Sequence, residues 1–484
     1  MTSDSSAPLN DVAVVGLGVM GRNLARNFAR NGWRVGGFDV NPAAAGHLAE
    51  LEPEHAFDIS PSLQEMVARL ERPRRILLLV TAGRPVDAVL DGLEPFLDEG
   101  DVVVDGGNSL YTDTDRRNER ATTKAWSFVG MGVSGGSEGA LLGPSMMPGG
   151  DFAAWLRLQP VLEAISAKSA SGPCVAYCGR GSAGHFVKMT HNGIEYGDMQ
   201  LIAEAATLLR KGLGHSARSV GKTFAAWNQG ELDSYLIDIT ADIFHTEDPE
   251  RPGEMLVDAI VDQAGQKGTG RWTVMAAIEL GVPVPTIAAA LDARALSSML
   301  ALRVSAAQTL RAPADAFAGV DVETLRQALF AAKIASYTQG FAMLRAASVE
   351  RDYGVNLAEV ARIWTAGCII RAGFLGVIRD VFQQDPELPL LALAPALAPR
   401  LQAATPALRR VVSSAALAGL PVPALSASLS WLDTLTTARG SADVIQAQRD
   451  YFGSHTYRRR DAPDVPVHTE WPRRPSEAGD PPTT

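Results

Sequence analysis

Cysteine is scarce in this chain: Cys174, Cys178 and Cys368 are the only three in 484 residues. So sparse and odd a set excludes a disulfide framework and reads as reduced thiols. Cys174 and Cys178 have no partners at metal-ligand spacing and are expected to pack as small apolar groups. The eight histidines do not cluster with carboxylates at ligand spacing either, so no metal is implied. Positive charge is in deficit, with 44 Lys and Arg against 54 Asp and Glu and a net charge of −10. That argues against a broad nucleic-acid surface, which needs a basic patch. Long apolar runs are missing too. No stretch approaches the ~18 apolar residues of a membrane helix, and "LPLLALAPALAP" (388–399) is short and cut by prolines. The start, "MTSDSSAPLND", has no apolar signal core. These absences predict a chain that does not span a membrane and resides in the cytoplasm.

What is present is apolar content of 46%, enough for large cores and about two or three domains. The first third alternates β-rich runs with helical stretches. "VAVVG" (12–16), "RVGGFDV" (34–40), "RILLLVT" (75–81), "DVVVDGG" (101–107) and "SFVGMGVSGG" (127–136) read as strands, with "CVAYCG" (174–179) as the last. A helix is expected from Gly21 to about Asn31, and another is started by Asn41-Pro42. Alternation with continuous apolar strands predicts a parallel, doubly wound α/β sheet over residues 1–182. From 183 to 440, Ala- and Leu-rich helical patterns dominate and predict a large all-α domain. It carries a weak internal echo: "VKMTHNGIEYGDMQLI" (187–202) and "AKIASYTQGFAML" (332–344) each run from a Lys through a polar group to Gly and an apolar stretch. The tail, 441–484, is rich in Arg, Pro and Asp and cannot make a core alone. It is expected to be disordered or to dock on another subunit through Tyr451, Phe452, Tyr457 and Trp471, with its last dozen residues disordered.

"VAVVGLGVMGRNL" places Gly16, Gly18 and Gly21 as G-x-G-x-x-G directly after a strand and at the opening of a helix. In that context the motif predicts a Rossmann-like dinucleotide site. The first glycine permits the tight turn, the second admits the pyrophosphate, and the third lets helix and strand pack closely. The helix N-terminus offers free N–H groups to phosphate. Asp39 ends the second strand. An acid there accepts hydrogen bonds from both ribose hydroxyls of NAD and repels the 2′-phosphate of NADP. The plainer alternative makes Asp39 a turn residue, and Arg84 in "VTAGRPVD" is a cation that could lie near the adenosine.

In "GHFVKMTHNGIEYGDMQLIAEA" (184–205), Lys188, His191, Asn192 and Glu195 fall at i, i+3, i+4 and i+7, one face of a helix whose remainder is largely apolar. Such a stripe suits oxidation of an alcohol beside a carboxylate. A lysine whose pKa is lowered by burial can take the hydroxyl proton as hydride leaves for a nicotinamide. If a β-keto acid then loses its carboxylate, Glu195 is placed to return a proton to carbon, and protonated Lys188 stabilises the enolate oxygen. The bland alternative is a buried Lys–Glu pair that only holds the helix in place.

Longer segments carry a resemblance: "GLGVMGRNLA", "VTAGRPVDAVL", "VDGGNSLYTDT", "GMGVSGGSEGALLGPSMMPGG", "DQAGQKGTGRWT", "IWTAGCIIRAGFL" and "RDYFGSHTY". From about residue 12 to 471 the chain resembles decarboxylating 6-phosphogluconate dehydrogenases of the long, homodimeric type. The resemblance implies conversion of 6-phospho-D-gluconate to D-ribulose 5-phosphate and CO2, in the pentose phosphate pathway, with reduction of NAD or NADP. It implies Lys188 as general base and Glu195 as general acid, with His191, Asn192 and Tyr196 as substrate ligands. Asn108 would touch substrate and nicotinamide. Ser134, Gly135 and Gly136 would hold the carboxylate end, and Lys267, Thr269 and Arg294 the phosphate. Arg449 and His455 would be delivered by the partner's tail. The cofactor set would be Gly16, Gly18, Val19, Met20, Gly21, Asp39, Val40, Asn41, Val80, Thr81, Ala82 and Asn108.

Departures from the family pattern bear on the cofactor. NADP-using members usually read Asn-Arg-Thr where this chain has Asp39-Val40-Asn41, and Lys at Thr81. Both changes remove positive charge beside the adenosine, so NAD is expected to be preferred. Ser137 stands where the family usually has Glu, which touches neither base nor acid. Two rival readings stand beside this one. Shorter β-hydroxyacid dehydrogenases lack the doubled helical domain and the "GQKGTG" and "RDYFGSHTY" segments. A catalytically silent nucleotide-binding dimer should have lost Lys188, Glu195 or the phosphate cluster, and all are present.

Overall fold

In the computed structural model, residues 8–266 and 268–472 are described. They form two compact units, divided between Leu429 and Ser430. The first begins with strands β1 (Val12–Val15), β2 (Val35–Phe38), β3 (Phe57–Ile59), β4 (Arg75–Leu78), β5 (Val102–Asp105), β6 (Ser127–Ser134) and β7 (Ser145–Gly150). They make one sheet in the order β3-β2-β1-β4-β5-β6-β7. β1 to β6 are parallel, and β7 returns antiparallel to β6.

The continuous apolar runs have a direct cause. Val12, Val14, Leu77, Val102 and Val104 feed a core on one face with Leu24 and Phe28. Their neighbours Ala13, Val15, Ile76, Leu78 and Val103 feed a core on the other, with Leu90, Leu93 and Trp126. Side chains alternate across the sheet and both faces are covered, so the central positions of these strands are apolar on both sides. Two expectations are corrected. Residues 174–179 form no strand and make only a single bridge from Val175 to Met146. The sheet is not wholly parallel, because β7, built from "SMMPGG", runs antiparallel to β6 at the edge. Its proline and glycines give no strand signal.

The helix Ala183–Thr207 lies directly on β6 and β7. Glycines make that approach possible. A Cβ on Gly184 would stand 2.2 Å from the Gly130 carbonyl oxygen, and one on Gly132 2.2 Å from Lys188 Cβ. The 29-residue helix Val322–Glu350 packs along it, again through glycine: a Cβ on Gly340 would meet Ile194 Cδ1 at 2.5 Å. The two echo segments are therefore neighbours. Among the described residues no helix is long and apolar enough to cross a membrane, and no group of three His, Cys, Asp or Glu could hold a metal.

The second unit contains the helix Ala442–Gly453 and an antiparallel hairpin of Tyr457–Arg459 with Ala462–Val467. The tail was expected to be unable to build a core alone. It closes instead on a polar centre: the Asp450 carboxylate accepts from His468 Nδ1 at 2.9 Å, the Thr469 amide at 3.1 Å and Trp471 Nε1 at 2.9 Å. Residues 473–484, the last dozen, lie outside the described residues.

Candidate active site

β1 runs into Gly16, whose φ of 90° and 2.8 Å approach of a would-be Cβ to the Leu79 carbonyl demand glycine. At Gly21 a Cβ would lie 1.8 Å from the Gly16 carbonyl oxygen, so helix and turn touch only because no side chain intervenes. At Gly18 a Cβ would meet nothing within 4 Å. The space beside Gly18 is open, in front of the N-terminus of the helix Val19–Arg30, whose first turn carries no acid. This is the cradle a pyrophosphate needs, and the residues present fit one. Val19 and Met20 form the first helical turn.

Asp39 is committed at the end of β2. Its two carboxylate oxygens accept the Leu17 amide at 2.6 Å and the Asn41 amide at 2.7 Å. It therefore does hold the turn, as the plainer alternative had it, while each oxygen keeps a lone pair for a hydroxyl. Val40 beside it is 88% exposed. Asn41 caps the following segment by accepting the Ala43 amide. After β4, Val80 and Ala82 are half-buried, Thr81 is exposed, and Arg84 is exposed at the start of the helix Arg84–Leu93. Asn108 is exposed on a loop that buried Asp105 shapes by accepting the Gly107 amide at 3.0 Å and the Ser109 hydroxyl at 2.6 Å.

The polar stripe on Ala183–Thr207 is buried and connected. Lys188, His191 and Asn192 have almost no exposed surface. Lys188 Nζ lies 3.5 Å from His191 Nδ1, which is 3.2 Å from Asn192 Oδ1 and 3.7 Å from Glu195 Oε2. His191 Nε2 meets Ser134 Oγ at 3.2 Å, so the end of β6 is tied to the helix. Among the described residues Lys188 has no ion-pair partner. Burial drives its pKa down, and the nearby Glu195 only partly opposes this. Burial, then Lys188, holds the His191 imidazole well below its ordinary value and keeps it neutral. Burial pushes the Glu195 carboxyl up against the opposing charges of Lys188 and Arg294. An amine biased toward its neutral form and a carboxyl biased toward its protonated form face one site.

Other expected residues gather around them. Gly135 at φ 117° opens the turn after Ser134, and Gly136 follows with open space at its Cα. Thr269 is buried at the start of the helix Thr269–Glu279. Arg294 lies over the Tyr196 ring, 4.1 Å from its centroid. Lys267 lies outside the described residues. Arg449 and His455 are exposed within the second unit. Residue-by-residue reasoning missed Trp364, whose ring meets that of His191 edge-on at 5.4 Å, and Gly132, which makes room for the Lys188 stem. The "WTAGC" and "GMGVSGG" segments contained both.

The 6-phosphogluconate dehydrogenase C-terminal domain matches residues 184–471, and the NAD binding domain of 6-phosphogluconate dehydrogenase matches residues 11–179. A decarboxylating 6-phosphogluconate dehydrogenase of Synechococcus elongatus is 50% identical over 470 residues, 96% of this chain and 99% of the relative. The Escherichia coli (strain K12) protein of the same name is 47% identical over 464 residues, 95% and 98% of the two chains. The solved 6-phosphogluconate dehydrogenase of Plasmodium falciparum superposes with a TM-score of 0.92 at 39% identity, covering 95% of this chain and all of that one. With both domain models, the full-length relatives and the superposition in agreement, the chain belongs to the decarboxylating 6-phosphogluconate dehydrogenases, oxidoreductases that use a nicotinamide dinucleotide.

Proposed function

We propose that this chain oxidises 6-phospho-D-gluconate to D-ribulose 5-phosphate and CO2, preferring NAD to NADP, with Lys188 as base and Glu195 as acid. The observation that carries this reading is the pairing on one helix face of a buried amine lacking a carboxylate partner with a carboxyl whose pKa is raised. The bound dinucleotide would supply the hydride acceptor. Neutral Lys188 takes the substrate hydroxyl proton as the ketone forms. The resulting ammonium then stabilises the oxygen that gathers charge while CO2 departs. Glu195, kept protonated by burial, returns a proton to carbon. His191, Asn192 and Ser134 hold the substrate as neutral donors and acceptors, so they do not quench Lys188. Thr269, Arg294 and Lys267 would take the phosphate.

The cofactor preference rests on Asp39, Val40 and Thr81. A carboxylate closes β2, the side chain after it is apolar and solvent-facing, and no cation takes the Thr81 position. A Bacillus subtilis relative, 46% identical, is named as NADP-dependent. The organisation supported by this reading is a dinucleotide-binding part (1–182), a helical substrate and dimerisation part (183–440) and a tail (441–484) that completes the partner's site. Exposed Leu302, Val304 and Leu310 on the helix Leu300–Leu310 favour a homodimer, because such a surface gains from being covered. Initial rates with 6-phosphogluconate over separate NAD and NADP series test it. A kcat/KM at least about tenfold higher with NAD is expected from loss of a charge-assisted phosphate contact. Preference for NADP overturns the cofactor assignment, and no turnover with either overturns the reaction.

A further inference from the structure

We propose that Asp450 is a positioning residue: it sets Arg449 and His455 in the pose in which the tail meets substrate, so that the tail docks already shaped. The inference rests on the reading above that these two residues complete the partner's site.

Four observations within the second unit converge. Asp450 is fully buried there and takes three N–H donors from residues 468–471, which ties the end of the hairpin back to the helix that carries Arg449. Its neighbour His468 gives Nδ1–H to Asp450 and turns Nε2 toward Ser454 Oγ at 3.5 Å. His455 sits between two non-glycine residues in the left-handed region, Ser454 at φ 50° and Thr456 at φ 56°. For β-branched Thr456 that backbone is a true outlier, and it persists only where the surroundings impose it. The His455 ring is packed so closely over Gly453 that a Cβ there would stand 2.6 Å from it.

Arg449 and the strained turn are also joined directly. Gln446 accepts from Arg449 Nη1 at 3.3 Å and donates to the Thr456 carbonyl. The two residues expected to meet substrate thus share one frame. Three of the bonds that close it end on Asp450, reinforced by Trp471, whose ring meets those of Tyr451 and Tyr457. Nothing in this frame requires substrate to be present.

The test is steady-state kinetics of the full-length enzyme carrying D450N, which offers one acceptor oxygen to three donors. KM for 6-phosphogluconate should rise about tenfold, with kcat moved less than about threefold and KM for the dinucleotide unchanged. Introduced into R449A, the same change should cost less than it does in the wild type, because one of the two residues it positions is already gone. A wild-type KM for D450N beside a raised KM for R449A overturns the proposal, and so does an undiminished D450N penalty in the R449A background. If R449A and H455A both leave KM unchanged, the tail reading itself is overturned, a result distinguishable from either. A second variant, S454G/T456G, keeps every bond to Asp450, gives up only the Ser454 contact to His468, and frees the turn. It should raise KM for 6-phosphogluconate severalfold, and an unchanged KM counts against a preset turn.

Discussion

Two lysines lie on the two long helices that echo each other, and they are equally buried: Lys188 is 6% exposed and Lys333 4%. Burial therefore does not separate them; what faces them does. Lys333 Nζ is 2.8 Å from Asp198 Oδ2, and Tyr337 donates to the same carboxylate oxygen at 3.2 Å. Asp198 belongs to the helix Ala183–Thr207, so this pair straps the two helices together. Lys188, ten positions earlier on that helix, faces an imidazole kept neutral, and the nearby Glu195 only partly opposes the effect of burial. A buried ammonium against a carboxylate is a strut, whereas a buried amine among neutral groups gives up its proton readily. The doubled pattern in the sequence thus divides into one lysine held in an ion pair and one proposed for chemistry.

The sharpest way to break this comparison is to remove each amine in turn. Lys188→Met should lower kcat by about 10³-fold or more, the upper range for a general base. The melting temperature should not fall, since no ion pair is lost; a marked fall would make Lys188 a structural residue after all. Lys333→Met should do the reverse. It strands Asp198, and the expected cost is about 3–5 kcal/mol of stability, read from denaturant unfolding, with activity per folded enzyme nearly unchanged. Adding Asp198→Asn should recover much of that loss. If Lys333→Met is neutral, the strut assignment fails.

Glu204, on the same helix as Lys188, sharpens the contrast because it is a buried carboxyl with no cation. Burial raises its pKa to about 7 even though the Ala424 and Leu425 amides and Gln200 favour its charged form. A folded-state pKa above the ordinary 4.5 means its contribution to stability is full below about pH 4.5 and is lost as pH rises through about 7. The wild type should therefore lose stability between about pH 4.5 and pH 7.5, by at most about 3 kcal/mol. Glu204→Gln should flatten that dependence in thermal unfolding at the two pH values. An equally steep loss in the variant assigns it to other groups.

How much of this was legible in the sequence follows from the range of each interaction. The glycine loop, the strands β1, β2, β4, β5 and β6, and the stripe of Lys188, His191, Asn192 and Glu195 are local patterns, and local periodicity reports them. The strand expected at 174–179 failed because an apolar run is not a strand until a sheet edge pairs with it. The reverse held for "SMMPGG", which pairs with β6 despite its composition. The partners that set these buried environments are distant: Asp198 and Lys333 are 135 residues apart, and Glu204 meets Ala424 across 220. No pattern along the chain could show that Lys188 would be left without a carboxylate while Lys333 received one. Nor could it show that the Arg- and Pro-rich tail would close around Asp450.

The central claim is that Lys188 is a buried amine shifted toward its neutral form. Its most direct test is an NMR titration of the full-length enzyme carrying ¹³C,¹⁵N-labelled lysine, with Lys188→Met identifying the signal. The account predicts that Lys188 releases its proton below the ~10.4 of an ordinary lysine, while the remaining signals, Lys333 included, persist in the Lys188→Met spectrum. A Lys188 signal titrating at or above the ordinary value would contradict the account and turn the stripe into a structural ion pair.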